Sequence, residues 1–311
     1  MDGVVNLTQK PIVPNSSFVY KYTPPDAGTF WYHPHNNSLG QIGRGLFGVL
    51  IVKEPVPYDA DEDAIVMLND WNLKGNGQID TNFESMMTMS HAGRIGNTTA
   101  VNSANSPVLT FAPGSRVRLR FINGATARIF IPDIPASLNP YMIAADAYPI
   151  PPVPYKSWVL GPGMRMDVVI DLPETEGGAM SGMMGGGGMG MMRGMMGGMM
   201  SGVFWQINGH SMAEDHDYEK PIFSLKKDKS YILNIVNETA FDHPIHMHGH
   251  TFRVVSADGK KLSRSYLTDT VYVPSGTRRE IAFVADNPGR WMIHCHIIDH
   301  QVSGMMGFFE V

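Results

Sequence analysis

The chain has 311 residues, of which 43% are hydrophobic and 17% charged, the balance of a folded globular protein of two or three domains. A net charge of −5 argues against electrostatic capture by nucleic acid or an anionic membrane. No apolar run approaches the roughly eighteen residues that a membrane span needs.

In chain order the dominant pattern is short strands punctuated by Pro, Gly, Asn and Asp. Residues 1–56 open without a basic stretch followed by an apolar one, so no signal peptide is visible, and they close on a hydrophobic strand, GLFGVLIV, and a proline-rich joint. Residues 57–172 form a second β unit. Its stretch SRVRLRFIN (115–123) alternates with period two, setting Val117, Leu119 and Phe121 on one side and Arg116, Arg118 and Arg120 on the other. Residues 173–202 contain AMSGMMGGGGMGMMRGMMGGMM (179–200), which holds ten of the 23 methionines. Glycine-rich sequence buries too little surface to order itself, so a flexible insert is expected. Its thioethers suit Cu(I), and both a copper-binding role and a plain linker remain open. Residues 203–311 form a third β unit. With no helical periodicity beyond short connectors, the chain reads as all-β, built of sandwiches or Greek-key barrels.

Three tight histidine groups stand out: WYHPHNN with His33 and His35, HPIHMHGH with His243, His246, His248 and His250, and HCHIIDH with His294, His296 and His300 around Cys295. Cys295 is the single cysteine, so an internal disulfide is excluded and a nucleophile or metal ligand is expected. On a strand, residues i and i+2 share a face while i+1 points away. Cys295 then serves one metal and His294 and His296 another, directly behind it. A thiolate, two imidazoles and a weak axial thioether make a blue-copper site. Cys295, His300, Met305 and His243, which is offset from the His246/His248 pair, supply that set. Zinc fits less well, with no Cys-x-x-Cys or His-Glu-x-x-His, and a cysteine-protease reading lacks an orienting partner.

These motifs, with GTFWYHPHNNSLGQIGRGLFGVLIV, HPIHMHGHTFRVV, TDTVYVPSG and HCHIIDHQVSGMMGFFEV, resemble the multicopper oxidase family of laccases and bacterial cuprous oxidases over essentially the whole chain. The resemblance implies cupredoxin-like Greek-key β-sandwich domains, two complete (57–172 and 203–311) and one represented by its C-terminal part (1–56). It implies a type-1 copper held by His243, Cys295, His300 and Met305, a type-2 copper at His246, and a type-3 pair at His33, His35, His248, His294 and His296. Dioxygen is then reduced to water with electrons from Cu(I) or small phenolic or aromatic donors. It also implies periplasmic or secreted location and a proton-delivery role for Asp2; monomer and homo-oligomer both stay open.

Family members carry a further His-x-His motif, in a His-Trp-His-Gly context, upstream of the stretch matching MDGVVNLTQ. The chain is therefore expected to be an N-terminally truncated form, with six of eight trinuclear histidines. A non-catalytic copper-binding or electron-transfer protein is the alternative this raises. Gln301, which cannot relay protons, stands where many bacterial members do so through Glu; either Asp299 substitutes for it or turnover is slower. Before His243, only Glu238 and Asp242 of NETAFD match the acidic and methionine residues that hold substrate Cu(I) in cuprous oxidases. His250 is expected to be structural, and so is Asp269 as a hydrogen-bonding residue. Trp31 and Tyr32 are read as core packing, and His91, His210 and His216 as solvated loop histidines.

Overall fold

The computed structural model describes residues 2–174, 184–186, 203–212 and 219–311; most of the expected Met/Gly insert, and His216, lie outside the described residues. Strand dominates as expected, and among the described residues the three α-helices, α1 (Ser38–Ile42), α2 (Met86–Met89) and α3 (Ile298–Val302), are four or five residues long. Helices this short have no stability of their own and persist only through packing.

The first block contributes a two-stranded antiparallel sheet, β1 (Gly28–Tyr32) with β2 (Gly48–Val52), joined through α1. The second block is a six-stranded mixed sheet. It comprises β3 (Glu62–Trp71), β4 (Thr98–Val101), β5 (Arg116–Asn123), β7 (Tyr141–Ala145), β8 (Tyr148–Pro154) and β9 (Arg165–Asp171), in the order β4-β3-β5-β9-β7-β8. The short β6 (Phe130–Pro132) pairs outside it with β10 (Met184–Gly186).

The third block is a sandwich of two sheets. One runs β11-β19-β18-β13-β16: β11 (Phe223–Ser224), β13 (His243–Met247), β16 (Thr270–Val273), β18 (Arg290–Cys295) and β19 (Met306–Glu310). The other runs β12-β17-β14-β15: β12 (Ser230–Val236), β14 (Phe252–Ala257), β15 (Lys260–Thr268) and β17 (Arg278–Val284). This is the cupredoxin-like architecture expected from the sequence.

Each of the two larger blocks carries its own apolar core. Val117, Leu119, Phe121 and Met166 fill that of the second; Phe252, Ile281, Ile293 and Phe309 fill that of the third. The alternation read in β5 holds, yet its arginine face does not meet water. Arg118 and Arg120 are 6% and 3% exposed, held by Asp167, Asp63 and Glu54. Thr29 of β1 joins the same network, donating its hydroxyl to Asp167 at 3.0 Å and accepting from Arg120 at 2.9 Å. The first block is thus docked on the second by a buried ionic layer, because a charge taken out of water persists only when paired.

Candidate metal centre

Strand β18 supplies the central residues of the site, and pairing with β13 sets their register: Ile245 lies opposite Cys295 and His246 opposite His294. Alternation along β18 then sends Cys295 to one side of the sheet and its neighbouring histidines to the other.

On the cysteine side, Sγ of Cys295 lies 3.5 Å from Nδ1 of His243 and 3.7 Å from Nδ1 of His300, and those two nitrogens are 3.1 Å apart. The far nitrogens are already engaged. Nε2 of His243 lies 2.8 Å from the Thr239 hydroxyl, and Nε2 of His300 donates to the His91 carbonyl at 2.5 Å. With each ring's proton assigned to that outer partner, the inner nitrogens face each other as two lone pairs. Buried lone pairs at this distance repel unless a cation lies between them. Met305 is tied to both neighbours through its backbone, donating to His300 O at 2.8 Å and accepting from Cys295 N at 3.0 Å, with its side chain buried in the same cluster.

Burial lowers His243 to about 3, holds His300 well below the ordinary imidazole value, and pushes the Cys295 thiol up. Neutral imidazoles are ready to coordinate, and a cation reverses the thiol's shift by favouring thiolate.

The opposite face gathers six histidines from two blocks. His33 and His35 follow β1; His246 and His248 come from β13 and its end; His294 and His296 come from β18 and just beyond it. Ring centroids of His35 lie 4.9 Å from His248 and 5.4 Å from His294, while His33 lies 5.0 Å from His296. The same logic of tautomers recurs. His248 is bonded through Nδ1 to Asp2 at 2.5 Å, His294 to the Cys295 carbonyl at 2.8 Å, and His246 to the Asp269 carbonyl at 2.8 Å. Their Nε2 atoms are left as lone-pair donors, and those of His248 and His294 meet at 3.1 Å. Nδ1 of His35 and Nδ1 of His296 are buried without a hydrogen-bond partner. Two donor groups, His35/His248/His294 and His243/Cys295/His300, each place their ligand atoms within 4.8 Å. Both sets fit copper: imidazoles with thiolate on one side, and imidazoles alone on the other.

Burial holds His294 and His296 well below the ordinary imidazole range and His33 at about 3. Burial alone would raise the Asp2 carboxyl, but the His248 ring beside it holds it below the ordinary value. Asp299 lies elsewhere, under the loop that follows α2. One of its oxygens accepts from the Arg94 N–H at 2.9 Å, and burial raises its carboxyl. Asp242 is committed to the Tyr272 hydroxyl and the Ser275 N–H. His250 packs between Phe283, Trp291 and Phe309, away from both donor sets.

Several participants were not legible as such in the sequence. Trp205 packs over His300 with centroids 4.1 Å apart and ring planes tilted by 35°, and donates its indole N–H to Met89 O at 2.6 Å, closing the cysteine side from outside. His91, read as a loop histidine, contributes its backbone carbonyl. Trp31 packs on His33 at 4.4 Å and His296 at 5.3 Å, so its packing is against the cluster itself. Neither indole has a sequence signal that separates it from ordinary core.

Family profiles described as multicopper oxidase match residues 1–56, 62–179 and 191–311. A multicopper oxidase of Mycobacterium tuberculosis, MmcO, is 27% identical, covering 98% of this chain and 73% of its own length. Laccase-2 of Botryotinia fuckeliana is 26% identical, covering 99% and 70%. Among solved structures, a multi-copper oxidase from Pseudomonas Thermotolerans superposes with a TM-score of 0.85 at 31% identity, covering 100% of this chain and 83% of that one. Lac15 from a marine microbial metagenome does so with a TM-score of 0.74 at 34% identity, covering 100% and 82%.

Proposed function

The chain belongs to the multicopper oxidase family, whose cofactor is copper, and from that premise we propose that it takes single electrons from Cu(I) or a phenolic donor on its cysteine side and passes them to dioxygen, reduced to water, on its histidine side. The observation that carries this is the division of β18, where Cys295 meets His243 and His300 while His294 and His296 turn to the opposite cluster. Copper, when bound, supplies reversible one-electron chemistry on the first side and dioxygen reduction on the second.

The residues of the chain do the rest. His243, Cys295, His300 and Met305 would hold the type-1 ion. His246 would hold the type-2 ion, and His33, His35, His248, His294 and His296 the type-3 pair. Cys295 is bonded through the backbone to both His294 and His296, so an electron leaving the thiolate has a short covalent path to either. Trp205 and the His91 carbonyl keep water from the cysteine side. Asp2, hydrogen-bonded to His248, is placed to hand protons to the cluster, and Asp299, next to His300 and bonded to the Arg94 N–H, is the second carboxylate proposed for proton delivery. Such a reaction suits export to the periplasm or secretion, and copper homeostasis as its setting. Among the described residues no helix is long and apolar enough to cross a membrane.

Oxygen uptake by the copper-loaded chain tests the reading. Uptake is expected with a cuprous or phenolic donor and is expected to vanish in Cys295→Ser. A blue protein that consumes no oxygen would sink it. That outcome would leave a copper-binding electron carrier, the second reading, favoured by the complete donor set on the cysteine side against six histidines on the other. Deleting residues 179–200 is expected to slow cuprous oxidation more than phenol oxidation; equal losses would remove that segment from any substrate role.

A further inference from the structure

The second block contributes none of the proposed copper ligands, yet one of its turns lies against the histidine cluster. Gly163, with φ of 80°, sits so close to His296 that an added Cβ would fall 2.5 Å from the ring's Cδ2. Two residues on, Arg165 opens β9 with its side chain only 3% exposed. Its fork donates to both carboxylate oxygens of Asp269, Nη1 to Oδ1 at 2.8 Å and Nη2 to Oδ2 at 2.6 Å. Its Nε donates to the Thr29 carbonyl at 3.2 Å, at the start of the strand that leads into His33 and His35.

Asp269 in turn meets His246 twice. Its backbone carbonyl accepts the ring's Nδ1–H at 2.8 Å, and its Oδ1 lies 3.4 Å from the same nitrogen. The Thr270 hydroxyl lies 3.1 Å from that nitrogen and donates to Asp269 Oδ1 at 2.8 Å. Burial alone would raise the Asp269 carboxyl, and the guanidinium overrides this, holding it well below the ordinary range.

We infer that Arg165 is a positioning residue for the histidine cluster: through Asp269 it fixes the orientation and tautomer of His246, and through Thr29 it ties the His33/His35 strand to the same anchor. A planar, two-pronged donor matches a carboxylate in one orientation only, whereas an ammonium leaves it free to turn. With the fork in place, Asp269 cannot rotate, the proton of His246 stays on Nδ1, and Nε2 stays a lone pair aimed at the cluster. The second block thereby sets the geometry of ligands that belong to its two neighbours. The inference rests on the proposed copper-binding role of His246.

The test compares Arg165→Gln and Arg165→Lys with Arg120→Gln. The last removes an equally buried arginine that also bonds Thr29 and is paired with Asp63 rather than Asp269. In the copper-free full chain, nitrogen-15 imidazole spectra are expected to show one Nδ1–H tautomer for His246 in the wild type and in Arg120→Gln. Both Arg165 variants are expected to show a tautomer mixture. Upon Cu(II) titration, the non-blue paramagnetic signal that His246→Ala abolishes is expected to weaken about 10–100-fold in affinity in Arg165→Gln, the usual consequence of losing a group that orients a ligand, with the blue absorption of the Cys295 site retained. An unchanged His246 spectrum in Arg165→Gln, an equal change in Arg120→Gln, or full restoration by lysine would overturn the inference. A wild type that binds no Cu(II) at His246 would defeat the copper reading of the cluster, while the imidazole spectra would still decide whether Arg165 fixes that ring.

Discussion

The two faces of β18 differ in how their donors are gathered. On the cysteine side every donor comes from one block: His243, Cys295, His300 and Met305 all lie within residues 243–305, and each is at most 5% exposed. On the histidine side His33 and His35 arrive from the first block, and an arginine of the second holds the residue behind His246. The donors of one site all lie in a single sandwich, with the Met89 and His91 carbonyls of the second block only closing its edge; those of the other come together only when three blocks dock. The same strand therefore carries a centre made robust by local packing and a centre that depends on interfaces.

Breaking the shared residue has the largest expected effect. Cys295→Ser should abolish the blue absorption and all donor oxidation, while the histidine face still binds Cu(II), read from optical and paramagnetic spectra. His296→Ala should do the reverse, bringing oxygen uptake to background with blue absorption intact. A retained blue colour without oxygen uptake in one variant, and loss of both functions in the other, is the asymmetry that the geometry demands.

The interface sharpens the contrast. Asp167→Asn leaves Arg118 and Arg120 short of a buried counter-charge and should cost roughly 3–5 kcal/mol in urea unfolding. Copper on the histidine face should be lost at lower urea than the blue copper; simultaneous loss would mean that the two centres are not separable. A smaller effect is expected from Asp2→Asn. It weakens the acceptor for His248 Nδ1 and should lower Cu(II) affinity on that face about 10–100-fold, leaving the blue site untouched.

The most gradual effect is with pH. His33 and His243 are held at about 3 when folded, against an ordinary value of 6.5. Between those values the unfolded chain binds more protons than the folded one, so stability must fall as pH falls. The copper-free protein should accordingly keep full histidine-linked stability above about pH 6.5 and lose it progressively toward pH 3, followed by denaturant midpoint. A flat profile over that window would mean that these rings are not buried as neutral groups.

How much of this was legible follows from the range of each interaction. The period of two in SRVRLRFIN correctly placed Val117, Leu119 and Phe121 inward. It could not tell that Arg118 and Arg120 were buried too, because their partners Asp63 and Asp167 lie about fifty residues away. The split of Cys295 from His294 and His296 was readable from strand alternation alone. The Trp205 ring over His300 and the His91 carbonyl at its edge were not, since tryptophan packs into ordinary cores and a backbone carbonyl has no side-chain signature.

Sequence alone determined the donor chemistry: which residues carry sulfur and imidazole, and that neighbours on a strand leave by opposite faces. Only the tertiary structure decided which nitrogen of each ring is free, because that depends on where an acceptor stands: Asp2 for His248, Asp269 for His246, His91 for His300. Ligand identity is a property of the side chain, whereas ligand orientation is a property of whatever the fold packs behind it.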